Sequence, residues 1–192
     1  MRLENDLYET PPWCVHRLLE AWDVAPGKWL EPACGNLAIV LAVNKYMAQR
    51  FGRCPTWTLC DLNPGGEVID GHPVHAMDYI RYAGRPEVRG QQFDVVITNP
   101  PYSDADRFVR LAVQQAHSVA MLLRLNWLAG DDRASWLSDH TPDVYVLPNR
   151  PDFTGAGGDA TDYAWLVWHQ FDCGAPRVQI LGTTPAFERR KR

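Results

Sequence analysis

The sequence predicts an α/β fold in which a mostly parallel sheet is covered by helices on both faces. Apolar runs of strand length alternate along the chain with segments of helical length, and this alternation is typical of parallel sheets. The run at residues 93–98 is rich in β-branched side chains, as expected of a strand buried on both faces. The runs at 144–147 and 163–168 have no helical segment between them. This favours a hairpin, and therefore an antiparallel strand near one edge of the sheet.

Three segments are expected to form the main helices. Thr10 is placed to cap the first helix, because two prolines follow it in the first turn and an apolar stripe of helical period comes next. Asn36 is placed to cap a second helix over residues 37–51, which are mostly apolar. Residues 104–118 are expected to form the third helix, since their apolar side chains have amphipathic spacing.

The predicted parallel strands are apolar runs that end at a turn or a polar residue. The run at 56–60 combines threonine with an aromatic residue and stops at Asp61, and a weaker run at 73–77 stops at Asp78. In chain order the predicted strands are 28–30, 56–60, 73–77, 93–98 and 119–123, followed by the hairpin pair.

Composition fits one folded domain over residues 1–187, followed by a short basic tail at 188–192. No run reaches the roughly 18 apolar residues that a membrane-spanning helix needs, so a cytoplasmic protein is expected.

The five cysteines have no CxxC spacing and the six histidines form no cluster, so neither a disulfide framework nor a metal site is expected. A net charge of −4 argues against broad electrostatic coating of nucleic acid and still permits a local basic surface.

Polar residues follow the predicted strands at the edge where open α/β sheets bind ligands. Gly35 lies in the turn after the first strand and lets a ligand approach the backbone closely. Asp61 is placed to accept hydrogen bonds from ribose hydroxyls, and Asp78 to accept one from the amino group of adenine. These positions predict a cofactor that carries adenosine.

The turn at residues 31–35 discriminates between two such cofactors. A nicotinamide dinucleotide requires the phosphate-binding pattern GxGxxG, whereas this turn supplies only Gly35. S-adenosylmethionine carries no phosphate, so a turn with one glycine suits it better. The sequence therefore favours S-adenosylmethionine.

The tetrapeptide Asn99-Pro100-Pro101-Tyr102 follows the strand at 93–98. An exocyclic amino nitrogen is a poor nucleophile because its lone pair is delocalised into the ring. The Asn99 side-chain oxygen and the Pro100 carbonyl are suited to accept its hydrogens and favour a tetrahedral nitrogen. Consecutive prolines fix that carbonyl, and Tyr102 offers a ring face for a flat substrate. The tetrapeptide thus predicts methylation of a planar amino nitrogen; the alternative is a stiff strand-to-helix connection.

With these motifs in this order, the chain resembles the amino-methyltransferases of DNA, and most of all the small adenine-N6 enzymes of phages and prophages. The resemblance covers about residues 8–168. It implies a Rossmann-like class I methyltransferase fold with a mostly parallel seven-stranded sheet. It also implies S-adenosylmethionine as methyl donor, S-adenosylhomocysteine as product, no metal, and double-stranded DNA as the partner. No protein partner is implied.

The resemblance also implies roles for individual residues. Asn99, Pro100, Pro101 and Tyr102 are expected to be catalytic, and Phe153 to stack on the other face of the target base. For Phe153 the alternative is a hydrophobic anchor of its loop. The residues expected to contact the cofactor are Tyr8, Thr10, Glu31, Ala33, Gly35, Asp61, Leu62, Asp78, Tyr79 and Asn99.

An enzyme of this kind must flip its target base out of the duplex, because the amino group is otherwise buried. No segment is long enough for a separate recognition domain, so sequence specificity is expected from loops that contain arginine. The candidate loops are 45–55, 81–89, 126–140 and 149–159. The basic tail is expected either to contact phosphates or to be a plain chain end.

Several other functions are compatible with the same residues. The same chemistry acts on adenine in RNA, on cytosine N4 or on a glutamine side chain of a protein. From a different class, a noncatalytic nucleic-acid-binding or inhibitory protein would retain the fold without turnover.

Overall fold

The computed structural model describes residues 9–85, 90, 92–153, 161–171 and 174–189. Its helices are α1 (Pro12–Ala21), α2 (Ala38–Phe51), α3 (Tyr79–Ala83), α4 (Ala105–Ala112), α5 (Asp131–Asp139) and α6 (Ala186–Arg189), with a 3-10 turn at Leu125–Leu128. Its strands are β1 (Lys28–Glu31), β2 (Thr56–Asp61), β3 (Val68–Ile69), β4 (His72–Pro73), β5 (His75–Ala76), β6 (Phe93–Thr98), β7 (Ala116–Arg124), β8 (Asp143–Val146), β9 (Tyr163–His169) and β10 (Val178–Ile180).

Eight of these strands form one sheet in the order β10-β8-β9-β7-β6-β1-β2-β5. Strand β9 is antiparallel to both of its neighbours, β7 and β8, and the remaining pairs are parallel. The predicted antiparallel strand near one edge is therefore confirmed. The short strands β3 and β4 form a separate antiparallel pair.

The expected number of seven strands is wrong, because β10 adds an edge strand beside β8. Val178 aligns with Val144 and Ile180 with Val146 in this parallel pairing. Only two apolar side chains mark the strand in the sequence, and both are exposed. A strand this short, with no buried face, leaves no hydrophobic pattern that distinguishes it from a loop.

Alternate residues of the central strands face two separate hydrophobic layers, as period-two geometry requires. Trp29 and Val95 pack with helices α1 and α2 on one face of the sheet. Leu30 and Val96 pack with helices α3 and α4 on the other face. Helices thus cover both faces, as predicted.

Three predicted helix boundaries differ from the structure. Pro11 rather than Thr10 is the cap residue of α1, and Leu37 rather than Asn36 is that of α2. Residues 104–118 do not form one helix, because α4 ends at Ala112 and β7 begins at Ala116. The apolar residues after 115 pair with β6 and β9, and this tertiary pairing overrides their helical spacing.

Helices in the described part of the chain are all too short or too polar to cross a lipid bilayer.

Trp165 of β9 joins the sheet to helix α1. Its side chain is fully buried, and its indole nitrogen donates to the Cys14 carbonyl at 2.9 Å. Trp165→Phe is expected to lower the free energy of unfolding by about 2 kcal/mol, because it removes one buried hydrogen bond and leaves space around a smaller ring. Urea unfolding measures the change. Trp57→Phe is the matched control, since the half-buried Trp57 donates to the Asn44 side chain, and equal losses in both variants would contradict the expectation.

Candidate cofactor and substrate site

A cleft of about 910 Å³ lies at the edge of the sheet where β1, β2 and β6 end. Because these strands are parallel, their carboxyl ends meet at this edge. The cleft brings together most of the residues predicted to hold the cofactor. Those in its lining are Thr10, Glu31, Ala33, Gly35, Asp61, Leu62, Asp78, Tyr79 and Asn99. Pro101, predicted to be catalytic, also lines the cleft. Tyr8 lies outside the described residues, and its role stays a prediction.

The turn after β1 is bound to the neighbouring strand β2 by its backbone. The Cys34 amide donates to the Cys60 carbonyl at 2.9 Å, and the Gly35 amide donates to Asp61 Oδ2 at 2.8 Å. Gly35 has a φ of 47°, in the left-handed region that glycine adopts without strain. Leu37 has a φ of 64° just before α2. The turn therefore follows a tight path that presents its backbone to the cleft.

Asp61 supports two backbone segments at once. Its Oδ2 accepts from Gly35, and its Oδ1 accepts from the Asn63 amide at 2.9 Å. A carboxylate has about four acceptor positions, so these two bonds still leave capacity for a ligand. Leu62 is exposed beside it and forms an apolar rim.

Asp78 and Tyr79 lie at the start of helix α3. The Asp78 carboxylate caps this helix by accepting from the Arg81 amide at 3.1 Å. Tyr79 is 2% exposed, and its hydroxyl donates to Gln115 Oε1 at 2.9 Å. Burial raises the pKa of Tyr79, so the phenol stays neutral. Tyr79 thus lines the cleft, while its ring packs on Phe108 and its hydroxyl bonds within the core.

Among the acidic and basic residues that line the cleft, Glu31 is the most deeply buried, with 1% of its surface exposed. Burial raises the pKa of its carboxyl well above the usual value, the Thr98 hydroxyl beside it has the opposite effect, and the negative charge of Asp61 raises the pKa further. Within the described part of the chain, its Oε2 is buried without a hydrogen-bond partner. The cleft floor therefore holds a carboxyl group that a positively charged donor would stabilise.

Asn99 follows β6 directly and is fixed by a contact from the beginning of the chain. Its Nδ2 donates to the Thr10 hydroxyl at 3.1 Å, and Thr10 is buried. The Asn99 side chain also interacts with the Tyr102 hydroxyl. Thr10 was expected to cap α1, but its hydroxyl instead orients this amide.

Tyr102 and Phe153 belong to an aromatic cluster beside the cleft rather than to its lining. The Tyr102 ring centre lies 6.0 Å from that of Tyr163, and Phe153 meets Tyr163 edge-on at 5.2 Å. The Arg124 guanidinium lies over the Tyr102 ring. Burial and the nearby Tyr163 raise the pKa of Tyr102, which keeps it neutral. Pro100, also predicted to be catalytic, is buried and lies outside the lining as well.

Arg124 and Tyr163 are site residues that the sequence did not indicate. They are the last residue of β7 and the first residue of β9, and they pair across these antiparallel strands. The only signal in the sequence was their position at the ends of apolar runs, which is common to many surface residues.

Among the described residues, no group of three or more His, Cys, Asp or Glu side chains is arranged to hold a metal ion. Residues 86–89 and 154–159, in two of the candidate specificity loops, and residues 190–192 of the basic tail lie outside the described part.

No protein-family model and no curated protein matches this sequence. Solved structures do match in fold. A methyltransferase subunit of a type I restriction-modification system from Streptococcus thermophilus has a TM-score of 0.59 and 15% identity, over 93% of this chain and 49% of its own. A candidate class I S-adenosylmethionine-dependent methyltransferase from Listeria monocytogenes has a TM-score of 0.59 and 12% identity, over 88% of this chain and 61% of its own. The 23S rRNA methyltransferase ErmE has a TM-score of 0.53 and 13% identity, over 82% of this chain and 67% of its own.

The chain therefore has the class I methyltransferase fold, with eight strands in its main sheet. It spans about half the length of the restriction-modification subunit and about three fifths of the Listeria protein.

The buried Glu31 carboxyl predicts an unusual dependence of stability on pH. Its pKa is higher in the folded state than the value of about 4.3 in the unfolded chain, so the folded state binds this proton more tightly. This tighter proton binding stabilises the folded state fully below about pH 4, and the contribution is lost as the pH rises through the folded-state pKa of Glu31. Glu31→Gln stays neutral and avoids this loss. We expect the variant to gain stability relative to the natural protein as the pH rises, by at most about 1.4 kcal/mol per pH unit.

Urea unfolding at pH 5, 6, 7 and 8, without added ligand, measures this difference. Glu20→Gln is the matched control, because Glu20 is exposed and paired with Arg17. Its stability curve should run parallel to that of the natural protein. A parallel curve for Glu31→Gln as well would show that the Glu31 carboxyl is not held in its protonated form.

Proposed function

We propose that this chain is an S-adenosylmethionine-dependent methyltransferase that methylates the exocyclic amino group of adenine in DNA. The observation that carries the proposal is the Asn99 side chain, which is oriented by Thr10 where β6 reaches the cleft. An amide fixed in this way presents an acceptor whose direction is set before the substrate arrives. The class I methyltransferase fold around it supports the same reaction class.

The residues of the cleft fit this cofactor. Glu31 Oε2, buried without a partner among the described residues, suits the ammonium group of the methionine part. Asp61 has acceptor capacity for ribose hydroxyls, and the exposed Leu62 supplies apolar surface for adenine. The Gly35 turn needs no phosphate-binding pattern, because this cofactor has no phosphate. When bound, S-adenosylmethionine supplies a methyl group on a positively charged sulfur.

The tetrapeptide prepares the amino nitrogen for attack. The Asn99 oxygen and the Pro100 carbonyl would accept the two amino hydrogens and favour a tetrahedral nitrogen, whose lone pair is then localised and available for attack. S-adenosylmethionine, which Glu31, Asp61 and Leu62 would hold, would supply the methyl group to this nitrogen and would be left as the neutral thioether S-adenosylhomocysteine. One amino proton then passes to water. No general base is needed before attack, because the nitrogen loses its proton after it has become positively charged.

DNA is the proposed polymer because of the resemblance to DNA amino-methyltransferases, and because the Streptococcus thermophilus neighbour is a subunit of a restriction-modification system. The fold of ErmE, named as a 23S rRNA methyltransferase, makes RNA the second candidate. Cytosine N4 and protein glutamine share the same nitrogen chemistry. In duplex DNA the target base must be flipped out, which costs a few kcal/mol of stacking and pairing.

The substrate is tested by sequencing that detects modified bases in DNA from cells that express the protein. We expect methylated adenine within one short recurring sequence, present with the natural protein and absent with Asn99→Ala. Unmodified DNA together with labelled RNA or labelled protein, after incubation of extracts with radioactive S-adenosylmethionine, would contradict the choice of polymer.

Asn99→Ala is expected to lower kcat by at least about 100-fold, because it removes a positioned acceptor, while cofactor affinity stays within a few-fold. Asn44→Ala is the matched control. Asn44 accepts from Trp57 at 2.8 Å and lies outside the cleft lining, so its loss should reduce stability and leave turnover intact. Stopped assays with radioactive cofactor measure kcat, and calorimetry measures binding. Equal turnover in the two variants would contradict the role of Asn99.

Asp61→Ala is expected to weaken S-adenosylmethionine binding by tenfold or more. The change removes the acceptor for ribose and also frees the Gly35 amide, so that the turn loses one of its two hydrogen bonds to β2. Calorimetry measures the affinity. Asp23→Ala is the control, because Asp23 is exposed and pairs only at the surface with Arg50. Unchanged cofactor affinity in Asp61→Ala would remove this residue from the site.

A further inference from the structure

The ring of Tyr102 is covered by side chains from two neighbouring strands. The guanidinium carbon of Arg124 lies 4.8 Å from the centre of this ring, a distance typical of a cation on an aromatic face. The Tyr163 ring centre lies 6.0 Å away at an angle of 41°. A flat substrate that stacks on the face of Tyr102 that Arg124 occupies must therefore displace the guanidinium group.

The register of the sheet places Arg124 at this position. Thr98, at the end of β6, aligns with Met121 of β7, so β7 continues three residues beyond its neighbour. Arg124 is the last of these residues and pairs with Tyr163 of β9. Its Nε donates to the Tyr163 hydroxyl at 3.4 Å. The register of the strands thus places the Arg124 guanidinium group beside Tyr102 of the tetrapeptide.

Arginine has two properties that match the parts of a nucleotide. Its guanidinium group is flat and stacks on aromatic faces as a base does, and its parallel N–H groups bind phosphate oxygens in pairs. The first property accounts for its place over Tyr102. The second property gives the guanidinium group a new partner, the phosphate of the nucleotide that would displace it. Of the two groups, Arg124 is the one that can leave, because its long side chain is only half-buried, whereas Tyr163 is enclosed within the core.

We propose that Arg124 occupies the stacking place of the base on Tyr102 and, once the base displaces it, binds the phosphate of the same nucleotide. The inference rests on the proposed function, for which it names a specificity residue. When a nucleotide displaces Arg124 from the Tyr102 ring, the guanidinium group gains a contact with the phosphate in place of the one it loses. A flat molecule without a phosphate breaks the contact and recovers nothing, so Arg124 selects against it.

A pair of small ligands separates the two roles of Arg124. The protein is first saturated with S-adenosylhomocysteine, so that the cofactor cleft is filled and no methyl transfer occurs. Adenosine and adenosine 5′-monophosphate are then titrated by calorimetry into the natural protein, Arg124→Ala and Arg124→Lys. Arg110→Ala is the matched control, because Arg110 lies 4.9 Å from the Trp136 ring and away from Tyr102.

We expect the natural protein to bind the monophosphate more tightly than adenosine. In Arg124→Ala, adenosine should bind about two- to fivefold more tightly, because it no longer displaces a stacked cation, and the preference for the monophosphate should disappear. Arg124→Lys should keep part of that preference, since it retains the charge. Arg110→Ala should match the natural protein. A purely structural role for Arg124 would weaken both ligands together and leave their ratio unchanged.

An unchanged ratio, or weaker adenosine binding in Arg124→Ala, overturns the inference. If DNA from expressing cells nevertheless carries methylated adenine, the failure concerns Arg124 alone. If no variant binds either ligand and the DNA is unmodified, the adenine assignment fails and the inference fails with it.

Discussion

Parallel pairing of β1 with β2 and β6 brings polar residues from distant parts of the sequence to one edge of the sheet. Glu31 aligns with Leu59, so Asp61 extends two residues beyond it. Val96 aligns with Leu30, so Asn99 also lies past the end of its strand. Each of these side chains follows a buried apolar run, and the packing of those runs on both faces fixes the register. A slip of one residue would turn every strand side chain to the opposite layer, so the core that stabilises the sheet also positions the cleft.

The electrostatics of the cleft work against the stability of the protein alone. Asp61 lies close enough for its charge to raise the pKa of Glu31, and Glu31 is buried. A buried carboxyl group without a full set of hydrogen bonds is a cost that folding must offset elsewhere. The cost becomes useful when the ligand brings a positive charge, because the buried group then gains the partner it lacks. Such conflicts between local stability and ligand binding are typical of functional sites.

Much of this architecture could be predicted from the sequence, because apolar period and turn residues are local signals. The strand Phe93–Thr98 has the predicted bounds, and the antiparallel strand near the edge follows from a missing helix. Long-range contacts could not be predicted in this way. Thr10 has the local features of a helix cap, yet its hydroxyl accepts from Asn99, 89 residues away. Strand β10 was missed because its exposed side chains carry no pattern of burial.

The two sides of the site differ in how far they are formed. The proposed cofactor side is an open cleft whose turn donates hydrogen bonds from its backbone to β2. On the proposed substrate side, Tyr102 is covered by Arg124, and Phe153 is packed on Tyr163 with 5% of its surface exposed. Stacking of a base on Tyr102 would therefore exchange existing contacts of this ring. On the proposal that Arg124 gives way to the base, a guanidinium group suits this place, because it covers the ring without the tight interlocking of an apolar side chain and remains soluble when displaced. The fold would then combine a preformed cleft with a stacking surface that favours a ligand able to replace the arginine.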